Sequence, residues 1–313
     1  VEDLQGFNYW PDQYDKFHAQ FPNQPCYGSE TASTLTTRGE YADNKDKCFV
    51  SSYNLTEWAW KPLADRPYMA GGFVWTGFDY RGEPTPYNWP CVNSHFGIMD
   101  TCGFPKDNYY YYLSVWKNDP VVHIMPHWNW QGKEGQNIHI VTFSNCEKVE
   151  LIVNGKSIGT QDVLRTTHLD WNVPYAPGKI EAVGITGGKE ITRDTVETTG
   201  TPVKIRLRPD RIKILADGED VAIVPVDILD AQDRVVPTAD NMVIFEVTGQ
   251  GKVDGVGNGN PSDLSPDKAS QRSAFNGHCM IIIRSTLKPG QIKLKATSPG
   301  LESAVIIIIT GKN

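Results

Sequence analysis

The chain of 313 residues carries 21% charged and 39% hydrophobic side chains, a balance that fits a soluble globular protein of two or three domains and excludes a disordered one. Its formal net charge of −7 argues against nucleic acid or an anionic membrane as the main partner. No apolar run approaches the roughly 18 residues of a membrane span, so no transmembrane segment is expected.

Residues 1–118 predict alternating strands and helices. Strands are expected in "LQGFNYW", "PCYGSE" and "GGFVWTGFDY", and helices in "PDQYDKFHAQFP", "TEWAWKPLADRPYMAG" and "KDNYYYYLSVW". Strand–helix repetition of this kind is typical of parallel βα units. The third strand is continuously apolar, which predicts a strand buried on both faces.

Aromatic residues are concentrated in the same part of the chain. Eight of the nine tryptophans and twelve of the thirteen tyrosines precede residue 131. Aromatic walls suit a ligand cleft, and sugars in particular stack their C–H faces on such rings. A large aromatic core is the equally good alternative.

Polar and aromatic residues gather where the three predicted strands end. They are Asn8, Tyr9, Trp10, Ser29, Glu30, Trp75, Asp79 and Tyr80. In barrels of βα units the loops at the carboxyl ends of the strands converge, and catalytic groups come from those ends. A retaining glycosidase uses an ionised carboxylate as nucleophile and a second, protonated carboxyl about 5–5.5 Å away as acid/base. Glu30 fits the first role, and a solvated surface charge is the alternative.

The six cysteines contain no CxxC pair, so no structural zinc site is expected, and neither another metal nor a cofactor is demanded. Cys91 and Cys102 flank one aromatic loop and could form a disulfide, with buried free thiols as the alternative. A periplasmic or extracellular location is expected, although no signal peptide is visible at residue 1, and a cytoplasmic one stays open.

After residue 118 the periodicity changes to the alternation of β-strands. Segments such as "QNIHIVTFS" and "KVELIVNGKSIG" are separated by Gly, Pro and Asp turns, and Asn154-Gly155 is a hairpin signal. They predict two β-sandwiches, over 119–200 and 201–313. Neither contains a cluster of acids, histidines or cysteines, so both are expected to have a structural or accessory role.

Several of these segments carry a family resemblance. "GGFVWTGFDYRGEPTPYNWP" and "FGIMDTCGFPKDNYYYYLSVW" resemble the end of the catalytic barrel in glycoside hydrolase family 2, which contains β-galactosidases, β-glucuronidases and β-mannosidases. "GFNYW", "GSETAS" and "GGFVWTGFDY" are similar to strands six, seven and eight of that barrel. "ELIVNGKSIG" and "ILADGEDVAIVPVDILDAQDRVVP" are similar to domains that follow it. The resemblance implies a multidomain α/β plus all-β chain: the C-terminal part of a (β/α)8 TIM barrel over 1–118, then two immunoglobulin-like β-sandwiches.

The same resemblance implies a retaining exo-β-glycosidase whose carbohydrate substrate is a terminal β-D-galactoside. Glu30 would be the nucleophile that forms a glycosyl-enzyme intermediate, and Tyr9 would donate a hydrogen bond to it. Trp75 would be the stacking floor for the sugar. Weaker sugar contacts are implied for Asn8, Asp79 and Arg81, with an Asp79–Arg81 surface ion pair as the alternative for the last two.

The acid/base of this family is a glutamate in an Asn-Glu pair, and the sequence contains no such pair. A complete barrel also takes about 250 residues and eight strands. We therefore expect the chain to be the C-terminal part of a longer enzyme, to need the missing N-terminal part as its partner, and to be inactive alone. Three barrel strands by themselves should leave an open edge and an uncovered apolar face.

Two alternatives stay open. One is β-glucuronidase or β-mannosidase activity of the same family, because the best-known β-galactosidases carry a histidine three residues after the nucleophile, where this sequence has Ser33. The other is a carbohydrate-binding or adhesin-like protein in which the sandwiches do the work. A binding sandwich should expose a row of aromatic rings, and residues 131–313 contain one tryptophan, one tyrosine and three phenylalanines.

Overall fold

The computed structural model describes residues 3–53 and 55–312 and divides into two compact units. The first unit ends at Thr198 and the second begins at Thr199. Strands dominate both units. Among the described residues, no helix is long and apolar enough to cross a membrane.

The first unit begins with a three-stranded parallel sheet in the order β1-β2-β3. Its strands are β1 (Gln5–Asn8), β2 (Cys26–Thr31) and β3 (Met69–Val74). Three helices accompany them: α1 (Tyr14–Gln20), α2 (Leu55–Ala64) and α3 (Asp107–Trp116). The predicted strand–helix alternation and the parallel pairing are therefore present.

One face of this sheet is covered by helices. Tyr14 of α1 and Leu63 of α2 pack with Cys26 and Met69 in a buried cluster. The helix comes so close that a Cβ atom on Gly72 would lie 2.6 Å from the Leu63 side chain. A side chain at this position would therefore require Leu63 to shift.

The opposite face of the sheet is open. Phe73 in β3 is 67% exposed, and its ring lies 6.0 Å from that of Tyr27 in β2. The prediction that the third strand is buried on both faces is therefore wrong for this chain. The exposed ring is part of the uncovered apolar face that was expected for three such strands alone.

A two-sheet antiparallel sandwich completes the first unit. One sheet has the order β4-β5-β8 and the other β10-β9-β6-β7. The strands are β4 (Val122–Met125), β5 (Asn137–Ser144), β6 (Lys148–Val153), β7 (Lys156–Asp162), β8 (Leu169–Pro174), β9 (Lys179–Thr186) and β10 (Lys189–Glu197). Asn154 and Gly155 both have positive φ, at 49° and 78°, as a tight hairpin turn between β6 and β7 requires, so that prediction is confirmed.

The sandwich and the strand–helix segment share apolar contacts. Tyr111 and Tyr112 of α3 belong to the same buried cluster as Val141 and Phe143 of β5. The predicted border at residue 118 thus runs through a packed core rather than through an exposed linker.

The second unit is a sandwich of nine strands with its own apolar core. Its sheets have the orders β11-β13-β17-β15 and β12-β19-β18-β14-β16. The strands are β11 (Lys204–Leu207), β12 (Lys213–Leu215), β13 (Val221–Leu229), β14 (Met242–Gly249), β15 (Gly251–Gly257), β16 (Gln271–Ser273), β17 (His278–Ser285), β18 (Gly290–Thr297) and β19 (Ala304–Gly311). Both predicted sandwiches are therefore present as two-sheet structures.

The disulfide differs from the predicted one. Cys91 is bonded to Cys48, with the two Cα atoms 5.7 Å apart, and Cys102 is not its partner. The loop that carries Cys91 folds back against the segment around Phe49, where the Tyr87 hydroxyl donates to the Phe49 carbonyl at 2.8 Å. The two cysteines are 43 residues apart, so spacing within one loop was a misleading guide.

Candidate active site

The three predicted site residues Tyr9, Glu30 and Trp75 lie side by side at the carboxyl ends of β1, β2 and β3. The backbone N–H of Tyr9 donates to the carbonyl of Glu30 at 3.0 Å, and that of Trp75 donates to the carbonyl of Thr31 at 2.7 Å. The flanking residues are thus tied by main-chain bonds to the strand that carries the carboxylate. Such anchoring fixes their side chains relative to Glu30.

The phenol of Tyr9 is hydrogen-bonded to Ser33 and lies near the Glu30 carboxylate. Burial raises the pKa of the Tyr9 hydroxyl, and the neighbouring Glu30 charge raises it further. The phenol therefore stays protonated beside Glu30. Ser33 stands three residues after Glu30, where the resembled β-galactosidases have a histidine, and here its hydroxyl contacts Tyr9.

Trp75 presents a partly exposed ring beside this carboxylate. The side chain is 37% exposed, and its indole Nε1–H donates to the Tyr80 hydroxyl at 3.1 Å. The Tyr80 hydroxyl in turn donates to the carboxylate of Glu83. Burial raises the pKa of the Tyr80 hydroxyl, and the nearby carboxylates of Glu83 and Glu30 raise it further. Tyr80, Glu83 and Glu30 therefore lie close together.

The candidate site also includes Tyr80 and Glu83, for which the sequence predicts no catalytic or sugar-binding role. Tyr80 was noted at a strand end, and Glu83 follows three residues later in the same loop. The spacing "DYRGE" after a strand-end tryptophan is a signal that could have identified both. Glu83 also places a second negative charge near Tyr9, whose pKa it helps to raise.

Asp79 does not face this site as a sugar contact. Its carboxylate is buried, accepts from Lys106 Nζ at 2.8 Å and accepts from the Gly97 amide at 2.9 Å. Burial raises the pKa of Asp79 to about 6, and the Lys106 charge opposes that rise. The predicted sugar contact and the alternative surface pair with Arg81 are both corrected to an internal Asp79–Lys106 ion pair.

The two remaining predicted contacts, Asn8 and Arg81, are both exposed. Asn8 is paired in register with Glu30, which places it on the neighbouring strand end. Arg81 forms a single antiparallel bridge with Asn93 in the loop that carries Cys91. The structure thus brings Asn8 next to Glu30 and leaves Arg81 further along the Trp75–Glu83 loop.

His95 lies in the loop beyond β3 but is turned into the interior. His95 is buried, its Nε2 lies 2.7 Å from the Cys48 carbonyl oxygen, and burial lowers its pKa to about 4. Within the described ranges, no three His, Cys, Asp or Glu side chains are grouped so that they could hold a metal ion. The site offers instead one carboxylate with a phenol donor, an aromatic platform and a second carboxylate in the adjoining loop. That combination can bind a sugar ring and attack its anomeric carbon.

Comparisons with known proteins find similarity along nearly the whole chain. Residues 205–307 match the glycoside hydrolase family 2 C-terminal domain 5, and residues 135–192 match a domain of unknown function, DUF4982. The chain is 41% identical over 98% of its length to the β-galactosidase BoGH2A of Bacteroides ovatus. It is 35% identical over 79% of its length to a putative β-glucuronidase of Formosa agariphila.

A solved structure shows the same similarity in three dimensions. A β-glycosidase from Bacteroides vulgatus aligns with 99% of the chain at a TM-score of 0.91 and 29% identity. The chain covers 45% of that structure, 39% of the Bacteroides ovatus protein and 25% of the Formosa agariphila protein. It therefore spans less than half the length of each of these relatives.

Proposed function

The chain belongs to glycoside hydrolase family 2, and from that premise we propose that it is the C-terminal portion of a retaining exo-β-glycosidase whose nucleophile is Glu30. The observation that carries the proposal is the position of Glu30 at the end of β2, where main-chain hydrogen bonds tie Tyr9 and Trp75 of the two neighbouring strand ends to the same strand. The open face of the three-stranded sheet supports a further assignment, that β1, β2 and β3 are strands six to eight of a (β/α)8 barrel.

In the proposed reaction a carboxylate oxygen of Glu30 attacks the anomeric carbon while the bond from that carbon to the leaving oxygen breaks. An acid on the part of the enzyme outside this chain protonates the leaving oxygen. Water then gives a proton to the same outside group, now acting as a base, and attacks the anomeric carbon; the bond from that carbon to Glu30 breaks, which returns the Glu30 carboxylate and releases the sugar with its configuration retained. The Tyr9 hydroxyl orients Glu30 for both steps, and Trp75 supports the sugar ring.

The charge of the site favours a neutral sugar as the glycone. Glu83 adds a second carboxylate to the loop beside Glu30. A glucuronide would bring its own carboxylate towards these charges at a Coulombic cost. We therefore place a terminal β-D-galactoside first, as the name of the Bacteroides ovatus relative suggests, and a β-D-glucuronide second, as that of the Formosa agariphila relative suggests.

Covalent trapping tests the nucleophile directly. The enzyme that contains this chain together with the rest of its barrel would be treated with an activated 2-deoxy-2-fluoro-β-galactoside, and peptides would be mapped by mass spectrometry. We expect the added mass on Glu30, and we expect Glu30→Gln to abolish turnover of nitrophenyl β-galactoside while Asp12→Asn, an exposed carboxylate change, does not. A label on another carboxylate, or turnover by Glu30→Gln, would overturn the proposal.

Nitrophenyl β-galactoside also tests whether the 313-residue chain is active without the rest of the enzyme. Glu30 without a proton donor for the leaving group should give no appreciable hydrolysis, because the reaction requires both a nucleophilic carboxylate and an acid/base carboxyl. Turnover by the purified 313-residue chain would show that the second carboxyl lies within it.

The Cys48–Cys91 disulfide supports a periplasmic or extracellular location for this enzyme. Structural disulfides persist in oxidising compartments and are rare in the cytosol. This part of the proposal is independent of the catalytic one and is tested by the redox state of the two cysteines in protein isolated from its source.

A further inference from the structure

The first unit contains a cavity that shares no lining residue with the site around Glu30. Its volume is about 550 Å³, which is within the range of roughly 300–1,000 Å³ typical of small-molecule sites. The loop that follows β2 forms one side, and strands β4, β5 and β8 of the sandwich form the other. None of its residues has a part in the proposed glycosidase reaction.

One wall of the cavity is aromatic and rigid. The rings of Tyr41 and Tyr53 are stacked with their centroids 5.6 Å apart, and Trp130 lies 6.3 Å from Tyr41. The Tyr53 hydroxyl donates to the carbonyl oxygen of Thr37 at 2.9 Å, and the Tyr41 hydroxyl donates to Asp107 at 3.1 Å. Because their hydroxyls are anchored, these rings are held in place before any ligand arrives.

The other wall is a chain of hydrogen bonds between imidazoles and carboxylates. Asp170 lies between two histidines, with His139 Nε2 at 2.6 Å from one oxygen and His168 Nε2 at 3.1 Å from the other. His168 Nδ1 lies 2.6 Å from Glu57. This network fixes the orientation of Asp170 and His139, both of which are exposed.

One polar group of the lining residues has no protein partner. The indole N–H of Trp130 is buried, and no hydrogen-bond acceptor lies within reach of it among the described residues. A buried donor without a partner costs free energy, roughly 1–3 kcal/mol.

The lining excludes three classes of ligand. A wholly apolar ligand would desolvate Asp170 and His139 without replacing their bonds to water. An anion would meet Asp170, while no lysine or arginine of the described chain lines the cavity. An organic cation would find the Asp170 carboxylate already shared by two imidazoles.

A pyranose ring combines an apolar C–H face with neutral hydroxyl groups and so matches both walls. We propose that this cavity binds one pyranose residue of a neutral glycan, with the aromatic wall against its C–H face and Asp170 and His139 on its hydroxyls. The inference does not depend on the proposed activity, because it concerns different residues and is measured as binding.

The proposal is tested by saturation-transfer NMR and titration calorimetry on the 313-residue chain. The probes are galactose, N-acetylgalactosamine, glucose and xylose, with glucuronate and choline as charged contrasts. We expect saturable binding of at least one neutral sugar, at a Kd on the order of 1 mM, and none of the charged probes. Asn137 and His139 are exposed residues that line the cavity. Asn137→Ala, His139→Ala and the conservative Asp170→Asn should each weaken that binding about tenfold, which corresponds to ~1.4 kcal/mol.

The matched control removes the strand-end site instead. The double variant Glu30→Gln, Trp75→Ala should bind the same sugar as tightly as the unaltered chain. Loss of binding in that double variant, unchanged binding in all three cavity variants, binding of choline or glucuronate in place of the sugars, or no binding of any sugar would each overturn the proposal. Far-ultraviolet circular dichroism of every variant shows that a loss of binding is not a loss of fold.

Discussion

The Nε2 atom of His123 lies 2.8 Å from Oδ1 of Asp107 in the interior of the first unit. Asp107 begins α3 and His123 lies in β4, so the contact joins the last helix of the strand–helix segment to the first strand of the sandwich. The other ring nitrogen of His123 is 3.4 Å from Asp194 in β10. An imidazole between two carboxylates bonds to both only while it carries two protons and a positive charge.

This arrangement predicts that the first unit loses stability at alkaline pH. Burial alone would lower the pKa of His123, but the hydrogen bonds to Asp107 and Asp194 outweigh it and raise the pKa from 6.5 to about 9. Since the folded pKa exceeds the unfolded one, the stabilisation is complete below pH 6.5 and is lost as the pH rises through about 9. We expect a fall in the free energy of unfolding on the order of 2 kcal/mol across that window.

Tryptophan fluorescence during urea unfolding measures this effect in the first unit alone, because all nine tryptophans precede Thr199. His123→Asn should be less stable at pH 6.5 and should converge with the unaltered chain near pH 9. An equal alkaline loss in the His123→Asn protein would assign the effect to other groups.

The disulfide predicts a second stability difference. Cys48–Cys91 closes a loop of 43 residues, and in the chain-entropy description a loop of that length contributes about 4 kcal/mol. Cys48→Ser with Cys91→Ser should therefore unfold at clearly lower urea concentration by tryptophan fluorescence. Maleimide labelling of the unfolded, unreduced chain should modify four cysteines, and six after reduction. Six labels before reduction would contradict the bond.

Much of the fold could be predicted because each element carries a local signal. The three parallel strands follow from apolar runs that alternate with helical segments, and the hairpin follows from Asn154-Gly155, the pair whose positive φ values the turn needs. Glu30, Tyr9 and Trp75 could be placed together for the same reason, since parallel strands bring their carboxyl ends to one edge.

The remaining features depend on contacts between distant residues. The position of Asp79 after the third strand predicts a strand-end site residue. Its partner Lys106 stands 27 residues later, and no local sequence pattern indicates a buried ion pair between them. The Cys48–Cys91 bond and the His123–Asp107 contact are of the same kind. The exposure of Phe73 could not be read from its apolar neighbours, because it depends on what polypeptide covers the sheet.

Substitutions at two glycines, Gly97 and Gly77, test how closely the backbone packs around Asp79. A Cβ atom on Gly97 would lie 2.1 Å from the backbone nitrogen of Asp79 and 2.3 Å from the Met99 carbonyl oxygen. Gly77→Ala is the matched control, because a Cβ atom there meets nothing within 4 Å. We expect Gly97→Ala to destabilise the first unit by more than ~3 kcal/mol and Gly77→Ala to change stability by less than ~0.5 kcal/mol. Similar urea midpoints for the two variants would contradict the close approach.

The two hydrogen bonds of the Tyr80 hydroxyl predict that sugar binding at the strand ends depends on Tyr80, although the sequence predicts no role for this residue. The hydroxyl accepts from Trp75 Nε1 at 3.1 Å and donates to Glu83, so Tyr80→Phe removes both bonds while it preserves the ring. In the proposed full-length glycosidase, the proposed role of Trp75 is to hold the sugar in the ground state and the transition state alike. Loss of its orientation should therefore raise KM about tenfold, ~1.4 kcal/mol, with a smaller change in kcat.

Tyr87→Phe is the control for this prediction, because its hydroxyl also bonds across a loop, to the Phe49 carbonyl at 2.8 Å, without touching Trp75, Glu30 or Glu83. Steady-state kinetics on nitrophenyl β-galactoside should show a raised KM only for Tyr80→Phe. Glu83→Gln should give a smaller rise, since an amide oxygen still accepts from the Tyr80 hydroxyl. If both tyrosine variants raised KM equally, the effect would arise from general loosening of the loops, and if kcat alone fell, Tyr80 would act on the reacting centre rather than through Trp75.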